Sequence, residues 1–350
     1  MELALKEWDG ETVIVRYDRS TGCWIFIAIH STRLGPAAGG TRMTSYADVQ
    51  AALQDAFRLA AGMSYKFATA CMPFGGGKAV IAAPPDLDPL SRAGLLRRYG
   101  RLVHQLGGLF LTGPDVGTSS PDMDVVGETG APYVFARTSG AGGAGSTGPF
   151  TALGVFAGIE VACEYVFGDA LLKGRRVLVQ GTGSVGKSLI EHLRGARAEV
   201  MFSEVDETAI RRFRDEQGLA LVPPEAIFTT ECDILAPCAL GGIFNADTIH
   251  RLKCRIVAGG ANNQLARPED AEGFRTKGIL YAPDYVINVG GAMAILGLEA
   301  QGWTHERAEK EVVKSVRRAL GRVFELADSQ GITTGAAARR IAEERLSGAR

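Results

Sequence analysis

The sequence predicts an α/β protein of two domains, the second of them a Rossmann-type dinucleotide-binding domain. Three observations carry this. At 350 residues the chain is long enough to bury two separate cores. The apolar run Arg175-Arg176-Val177-Leu178-Val179-Gln180 feeds directly into Gly181-Thr182-Gly183-Ser184-Val185-Gly186, a G-x-G-x-x-G pattern, and Lys187 to Leu193 then reads as the first turns of a helix. A glycine-rich stretch from Ser139 to Gly148 separates two series of strand and helix patterns. The expected division is therefore 1–138 and 139–330, with a last helix over about 331–350 packing back on the first domain.

In the first domain, Thr12 to Tyr17 and Cys23 to Ile29 alternate as strands around a turn at Ser20-Thr21-Gly22. Apolar residues from Ala47 to Met63 recur with helical spacing. A strand is expected at Ala79 to Ala82, a helix over roughly Pro89 to Leu106 and a short strand at Leu109 to Leu111. After the glycine-rich hinge, Phe150 to Phe167 predicts an apolar helix leading into the fingerprint strand. Glu199 to Ser203, Asp233 to Ala236, Arg255 to Ala258 and Gly278 to Tyr281 predict further strands of the second sheet. Helices over about Thr304 to Gln330 and Thr333 to Leu346 close the chain.

Each fingerprint glycine has an expected task. Gly181 permits a tight turn, Gly183 lets a pyrophosphate approach the backbone, and Gly186 lets the helix pack against the strand. The helix start offers unpaired N–H groups to phosphate. Glu204 ends the next strand about 20 residues on, where a carboxylate would accept hydrogen bonds from an adenosine ribose and repel a 2′-phosphate. It could also be an ordinary exposed residue at a strand end. The candidate cofactor set is Gly181, Thr182, Gly183, Ser184, Val185, Gly186, Glu204 and the adjacent Val205, with NAD favoured over NADP.

Several classes are disfavoured. Lys and Arg number 38 against 39 Asp and Glu, so no nucleic-acid or anionic-membrane surface is expected. No apolar run is expected to reach the ~20 residues of a membrane helix. The first residues lack signal-peptide anatomy, which makes cytoplasmic residence the default expectation. The six cysteines are scattered and the five histidines show no ligand spacing, so no metal is expected. The 45 glycines fall in clusters flanked by apolar periodicity, which predicts loops where backbone approaches a ligand.

Three segments of the first domain combine glycine with a polar group: Leu34 to Arg42, Met63 to Lys66 with Met72 to Lys78, and Thr112 to Gly117. Lys66 and Lys78 sit among apolar and small residues. Each is either a snorkelling surface residue or a desolvated one with a lowered pKa. The adjacent triple glycine and Asp115 shift the balance toward a site.

These motifs closely resemble the amino-acid dehydrogenases acting on glutamate, leucine, phenylalanine and valine. The matching segments are Gly35 to Arg42, Pro73 to Lys78, the Thr-Gly-Pro-Asp ending at Asp115, Ala236 to Ala239, Gly260 to Asn263 and Tyr281 to Tyr285. They cover nearly the whole chain in order. The resemblance implies an N-terminal substrate and oligomerisation domain, a Rossmann domain, a deep cleft between them and a homo-oligomer. It implies Lys78 as catalytic lysine, Asp115 as the group exchanging protons at the α-amine, and Lys66 on the substrate carboxylate with help from Asn262. Gly39 and Gly40 would bring backbone against the substrate, with Met63, Gly113, Pro114 and Ala292 completing the pocket. Thr151 would touch the nicotinamide amide, with Ala239 and Asn262 near its ring. Two departures stand out: Glu204 where aspartate is common, and Val289 where alanine is usual.

The implied chemistry suits these residue types. Hydride leaves Cα to the nicotinamide and water adds to the resulting iminium; a lysine neutral near working pH can deprotonate that water. Glutamate-specific relatives carry lysine and serine at the positions of Gly113 and Ala292. Both are small and neutral here, so a distal carboxylate would be left unpaired and glutamate should be rejected. The lost volume at both positions favours L-phenylalanine as substrate, with tryptophan or the branched-chain leucine and valine as alternatives. A catalytically dead sensor would be expected to have lost Lys78 or Asp115, and a histidine-based hydroxy-acid dehydrogenase lacks a suitably placed histidine.

Overall fold

The computed structural model describes residues 2–348. Two compact units divide the chain. The first takes in the chain up to Ser146, together with Ile295–Gly302 and the residues from Ala342 onward; the second comprises Thr147–Ala294 and Trp303–Ile341. The boundary lies after Ser146, not at 139 as expected, because the glycine-rich segment is tied into the first unit. Glu299 accepts from the backbone N–H groups of Ala136 (3.0 Å) and Ala144 (2.7 Å), and Asp124 accepts from Thr138 N and Oγ1. The final helix, Thr334–Gly348, is shared between the units; its Ala342 and Leu346 pack with Ala68 of the first. The last two residues of the expected 331–350 helix lie outside the described residues.

The first unit holds a mixed five-stranded sheet: β1 (Thr12–Asp18), β2 (Cys23–Ser31), β3 (Ala37–Thr44), β4 (Gly75–Ala82) and β5 (Phe110–Pro114), in the spatial order β1-β2-β4-β3-β5. β3 runs parallel to both β4 and β5, while β2 is antiparallel to β1 and β4. One face carries Ile25, Ile27, Ala79 and Ile81 against Leu95, Tyr99 and Val103 of the helix Pro89–Gln105. The other carries Phe26, Ala28 and Val80 against Ala52, Leu53, Ala56 and Phe57 of the helix Val49–Thr69. That helix is capped by Asp48 and continues past the expected end at Met63, because Phe67 and Ala68 extend the buried stripe; Lys66 therefore sits in its last turn.

The glycine-rich segments around the lysines are strands, which corrects the expectation of ligand-approach loops. Gly39 and Gly40 lie inside β3, and Gly75, Gly76 and Gly77 inside β4, the central strand. Sparse side chains conceal the period-2 signal there, but the packing explains them. A Cβ on Gly39 would stand 1.9 Å from the Gly77 carbonyl oxygen, one on Gly76 2.1 Å from the Ser64 nitrogen, and one on Gly77 2.9 Å from the Phe110 ring. Sheet and helix approach so closely that no side chain fits between.

The second unit is an all-parallel six-stranded sheet of β6 (Arg176–Gln180), β7 (Glu199–Ser203), β8 (Ala220–Leu221), β9 (Ile234–Pro237), β10 (Ile256–Val257) and β11 (Leu280–Tyr281). Its order, β11-β10-β9-β6-β7-β8, is that of a dinucleotide-binding Rossmann sheet, reversing between β6 and β9. The helix Gly148–Phe167 corrects a further expectation, since by length and composition it could cross a membrane. Glycines and two glutamates break up its apolar runs in the sequence. Its apolar surface packs within the unit: Val155, Ile159 and Ala162 are buried, and the helices Ser184–Gly195 and His305–Gln330 lie against it.

Gly39→Ala should destabilise the chain by about 1–3 kcal/mol or more, because backbone atoms of two strands would have to separate. Urea denaturation checks this, and a midpoint equal to that of the wild type would contradict the packing account.

Candidate active site

Alternation along the strands decides which polar groups meet. On β4, Gly76, Lys78 and Val80 face the helix Val49–Thr69, while Gly77, Ala79 and Ile81 face the other way. On β3 the same parity puts Gly40 and Arg42 on the Lys78 side and sends Thr41 to the opposite core. There Thr41, Tyr99 and Thr112 join their hydroxyls at 2.7–3.0 Å, which ties β3 and β5 to the helix behind them. Gly113 and Asp115 then emerge from β5 on the side of Lys78.

Lys78 is buried, and its Nζ lies 3.0 Å from Asp115 Oδ2. Arg42, to which the sequence reading assigned no role, donates from Nε to the same oxygen at 3.0 Å. Its Nη1 reaches Asp55 Oδ2 at 3.0 Å, and Asp55 also accepts from Tyr46 (2.8 Å) and Arg58 (2.6 Å). Burial alone would raise the Asp115 carboxyl; Lys78 and Arg42 outweigh it and bring its pKa down to about 2. The only sequence signal for Arg42 was its place at the end of a Gly-Gly-Thr-Arg run.

Lys66 lies on the helix that faces Lys78, two residues beyond Ser64, whose buried hydroxyl meets His30 Nδ1 at 2.8 Å and whose backbone packs on Gly76. Met63 is the side chain nearest Gly39, its Cγ 3.3 Å from where a Cβ would stand. Gly40 would place a Cβ 2.7 Å from the Pro114 oxygen. Gly113 differs: an added Cβ would meet only the Phe135 oxygen, at 3.6 Å. Packing demands glycine at 39 and 40 and does not demand it at 113.

In the second unit the three fingerprint glycines sit in three different surroundings. Gly181 has φ +86° and would strike Ala239, Gly186 would strike the Gly181 oxygen at 1.9 Å, and Gly183 has nothing within 4 Å. The helix Ser184–Gly195 begins at Gly183, which as a glycine supplies no side-chain cap. Glu204 is no idle strand-end residue. Its Oε2 accepts from Thr182 N (2.8 Å) and Oγ1 (2.7 Å), and its Oε1 from Val205 N and Asp206 N. Burial opposes ionisation, but these donors prevail and hold its pKa below the ordinary value. Four protein donors fill a carboxylate, so a ribose diol would have to share or displace one.

Thr151, Val185 and Gly291 come together around Gly260 and Thr147: a Cβ on Gly260 would meet Val185 at 2.7 Å and Thr151 at 3.7 Å, and one on Gly291 would meet Thr151 Oγ1 at 2.4 Å. Ala292 follows on the same helix and is partly exposed. Asn288, missed in the sequence, donates to the Gly260 oxygen (3.2 Å) and to Asn262 Oδ1 (2.7 Å). A carbonyl only accepts, so the Asn288 nitrogen is fixed and the Asn262 amide turns its own Nδ2 outward. Among the described residues no cluster of His, Cys, Asp and Glu could hold a metal.

Comparison with known proteins matches two family models: the Glu/Leu/Phe/Val dehydrogenase dimerisation domain over residues 13–130, and Glutamate/Leucine/Phenylalanine/Valine dehydrogenase over residues 198–350. Leucine dehydrogenase of Thermoactinomyces intermedius is 42% identical over 98% of this chain and 92% of its own length. Valine dehydrogenase of Streptomyces virginiae is 42% identical over 97% and 94%. The crystal structure of L-tryptophan dehydrogenase from Nostoc punctiforme superposes with a TM-score of 0.85 at 40% identity, covering 100% of this chain and 99% of that one.

The Asp115 carboxyl sits below the reference value of 3.8 in the folded chain. Its ionisation therefore contributes stability that is complete above about pH 4 and is lost as pH falls through about 2, worth about 2 kcal/mol. In Asp115→Asn, stability measured by urea melts should fall less steeply between pH 4 and 2 than in the wild type.

Proposed function

The chain belongs to the glutamate/leucine/phenylalanine/valine dehydrogenase family, and from that premise we propose that it carries out the NAD-dependent, reversible oxidative deamination of an apolar L-amino acid to a 2-oxo acid and ammonium. It is an amino-acid dehydrogenase, an oxidoreductase acting on CH–NH2 donors. The observation that carries the reading is the buried Lys78 paired at 3.0 Å with the partly buried Asp115 on the sheet face covered by the Lys66 helix.

The nucleotide site fits NAD: open backbone at Gly183, the positive end of the helix Ser184–Gly195 behind it and a carboxylate at Glu204 that repels a 2′-phosphate. When bound, NAD supplies the acceptor for the Cα hydride. The other tasks fall to side chains of this chain. Lys66 holds the substrate carboxylate. Asp115, anionic at working pH, accepts hydrogen bonds from the α-ammonium and takes its proton. Lys78 removes a proton from the water that adds to Cα, then returns it as ammonium leaves.

Among substrates, the relatives favour leucine, valine and tryptophan. Phenylalanine, the expectation from pocket volume, has no such support and ranks behind them. The unfilled place at Gly113 favours a large side chain within this set. A dimer or larger homo-oligomer is part of the proposal: β1 is an edge strand whose outer edge is available to a second copy. Light scattering at micromolar concentration should return a multiple of 37.1 kDa.

NADH formation with tryptophan, phenylalanine, leucine, valine and glutamate is the direct test; glutamate as best substrate would overturn the reading. Gly113→Ala should keep wild-type stability within about 0.5 kcal/mol while lowering kcat/KM for aromatic substrates more than for aliphatic ones. Lys78→Ala should chiefly lower kcat, whereas Lys66→Ala should chiefly raise KM. Glu204→Ser should narrow the preference for NAD over NADP.

A further inference from the structure

Arg42 and Lys78 share one oxygen of Asp115, yet they differ in what they can do. A guanidinium stays protonated at any working pH, whereas the proposed role of Lys78 requires it to give up and regain a proton. Were Lys78 the sole partner of Asp115, each deprotonation would leave a buried carboxylate without a cation. That cost would pull the proton back onto the lysine. Arg42 removes the difficulty, since Oδ2 keeps a charged donor at 3.0 Å whatever the state of Lys78.

Arg42 is itself held in place. Asp55 takes Nη1 at 3.0 Å and is braced by Tyr46 and by the half-exposed Arg58. The network thus contains three cations (Lys78, Arg42, Arg58) and two anions (Asp115, Asp55), and becomes neutral when Lys78 is deprotonated. Its charges come from the elements packed on this face: Arg42 from β3, Lys78 from β4, Asp115 from the end of β5, and Asp55 and Arg58 from the helix Val49–Thr69, with Tyr46 in the turn before that helix; Lys66, not counted in that network, stands in the last turn of the same helix.

We infer that Arg42 is a positioning residue of the reaction: it holds Asp115 oriented and ionised through Oδ2, so that the Oδ1 side meets the substrate ammonium and Lys78 can exchange its proton without losing the carboxylate. The inference rests on the dehydrogenase reading for its kinetic consequence. Its physical core, the hold of Arg42 on Asp115, does not depend on that reading.

Two measurements separate these. Carbon-13 carboxyl titration of the ligand-free protein, with Asp115→Asn to assign the signal, should show Asp115 ionised throughout the accessible acid range in the wild type. In Arg42→Gln a step should appear at higher pH, toward the ordinary aspartate range near 4, and be absent from the Arg42→Gln/Asp115→Asn double variant. In the kinetic arm, on the best substrate of the panel, Arg42→Gln should lower kcat about 10–100-fold, with KM within about threefold, and shift the acid limb of kcat/KM to higher pH. Arg42→Lys restores the charge but not the fork that reaches Asp55 as well; it should return the acid limb to its wild-type place and recover kcat only in part. A structural role alone would lower activity without moving the limb. An Asp115 titration unchanged in Arg42→Gln overturns the inference. If Arg42→Gln does not fold, wild-type kcat in Arg42→Lys overturns it instead. A wild type inactive on every amino acid would sink the dehydrogenase reading while leaving the titration to decide the role of Arg42.

Discussion

The close approach of β3, β4 and the helix Val49–Thr69 is the constraint from which the rest of the first unit follows. Gly39 lies against the Gly77 carbonyl and Gly76 against the Ser64 backbone, with less room than a methyl group needs. With side chains excluded there, the sheet face and the helix lie close enough for residues one or two positions on to touch. Lys78, Arg42, Asp55 and Asp115 then meet at ion-pair distance in a largely buried setting. Water is scarce around them, so each charge needs a partner, and the chain supplies one for each.

That arrangement explains why a carboxylate as buried as Asp115 stays ionised. Burial by itself pushes a carboxyl toward its neutral form, and two cations on one oxygen reverse the outcome. The hydroxyl cluster of Thr41, Tyr99 and Thr112 on the opposite face serves the same end by other means. It secures the two strands that carry Arg42 and Asp115 without placing charge in the core behind them.

In the second unit, conformation and close approach distribute the fingerprint glycines. A left-handed turn at Gly181, a contact with the Gly181 oxygen at Gly186 and open space at Gly183 are three different reasons for one residue type. Glu204 joins this loop from the neighbouring strand: by taking the Thr182 N–H and hydroxyl it fixes the turn as well as contributing negative charge. Asn288 plays a comparable part for Asn262, turning an exposed amide so that its donor end faces outward.

Local pattern was enough to read five of the six strands of the dinucleotide-binding sheet, its glycine loop and the long helices, whereas the candidate roles of Lys66, Lys78 and Asp115 came from the resemblance to the dehydrogenase family. In those segments the periodicity or the motif is carried by neighbours in sequence. β3 and the first half of β4 escaped because glycine and alanine carry no alternation to detect, and the helix Ser120–Gly130 because its apolar residues are few. The domain boundary shifted because Glu299, far along the chain, holds the glycine-rich segment through two backbone N–H groups. The sequence by itself determined which residue types are present to bind an amino acid and a dinucleotide, and the order in which strands and helices present them. Only the tertiary structure decided that Arg42 shares the oxygen of Asp115 with Lys78, that Asn288 orients Asn262, and that glycine is required at 39 and optional at 113. Those facts depend on distances between segments remote in sequence, and no local periodicity encodes such distances.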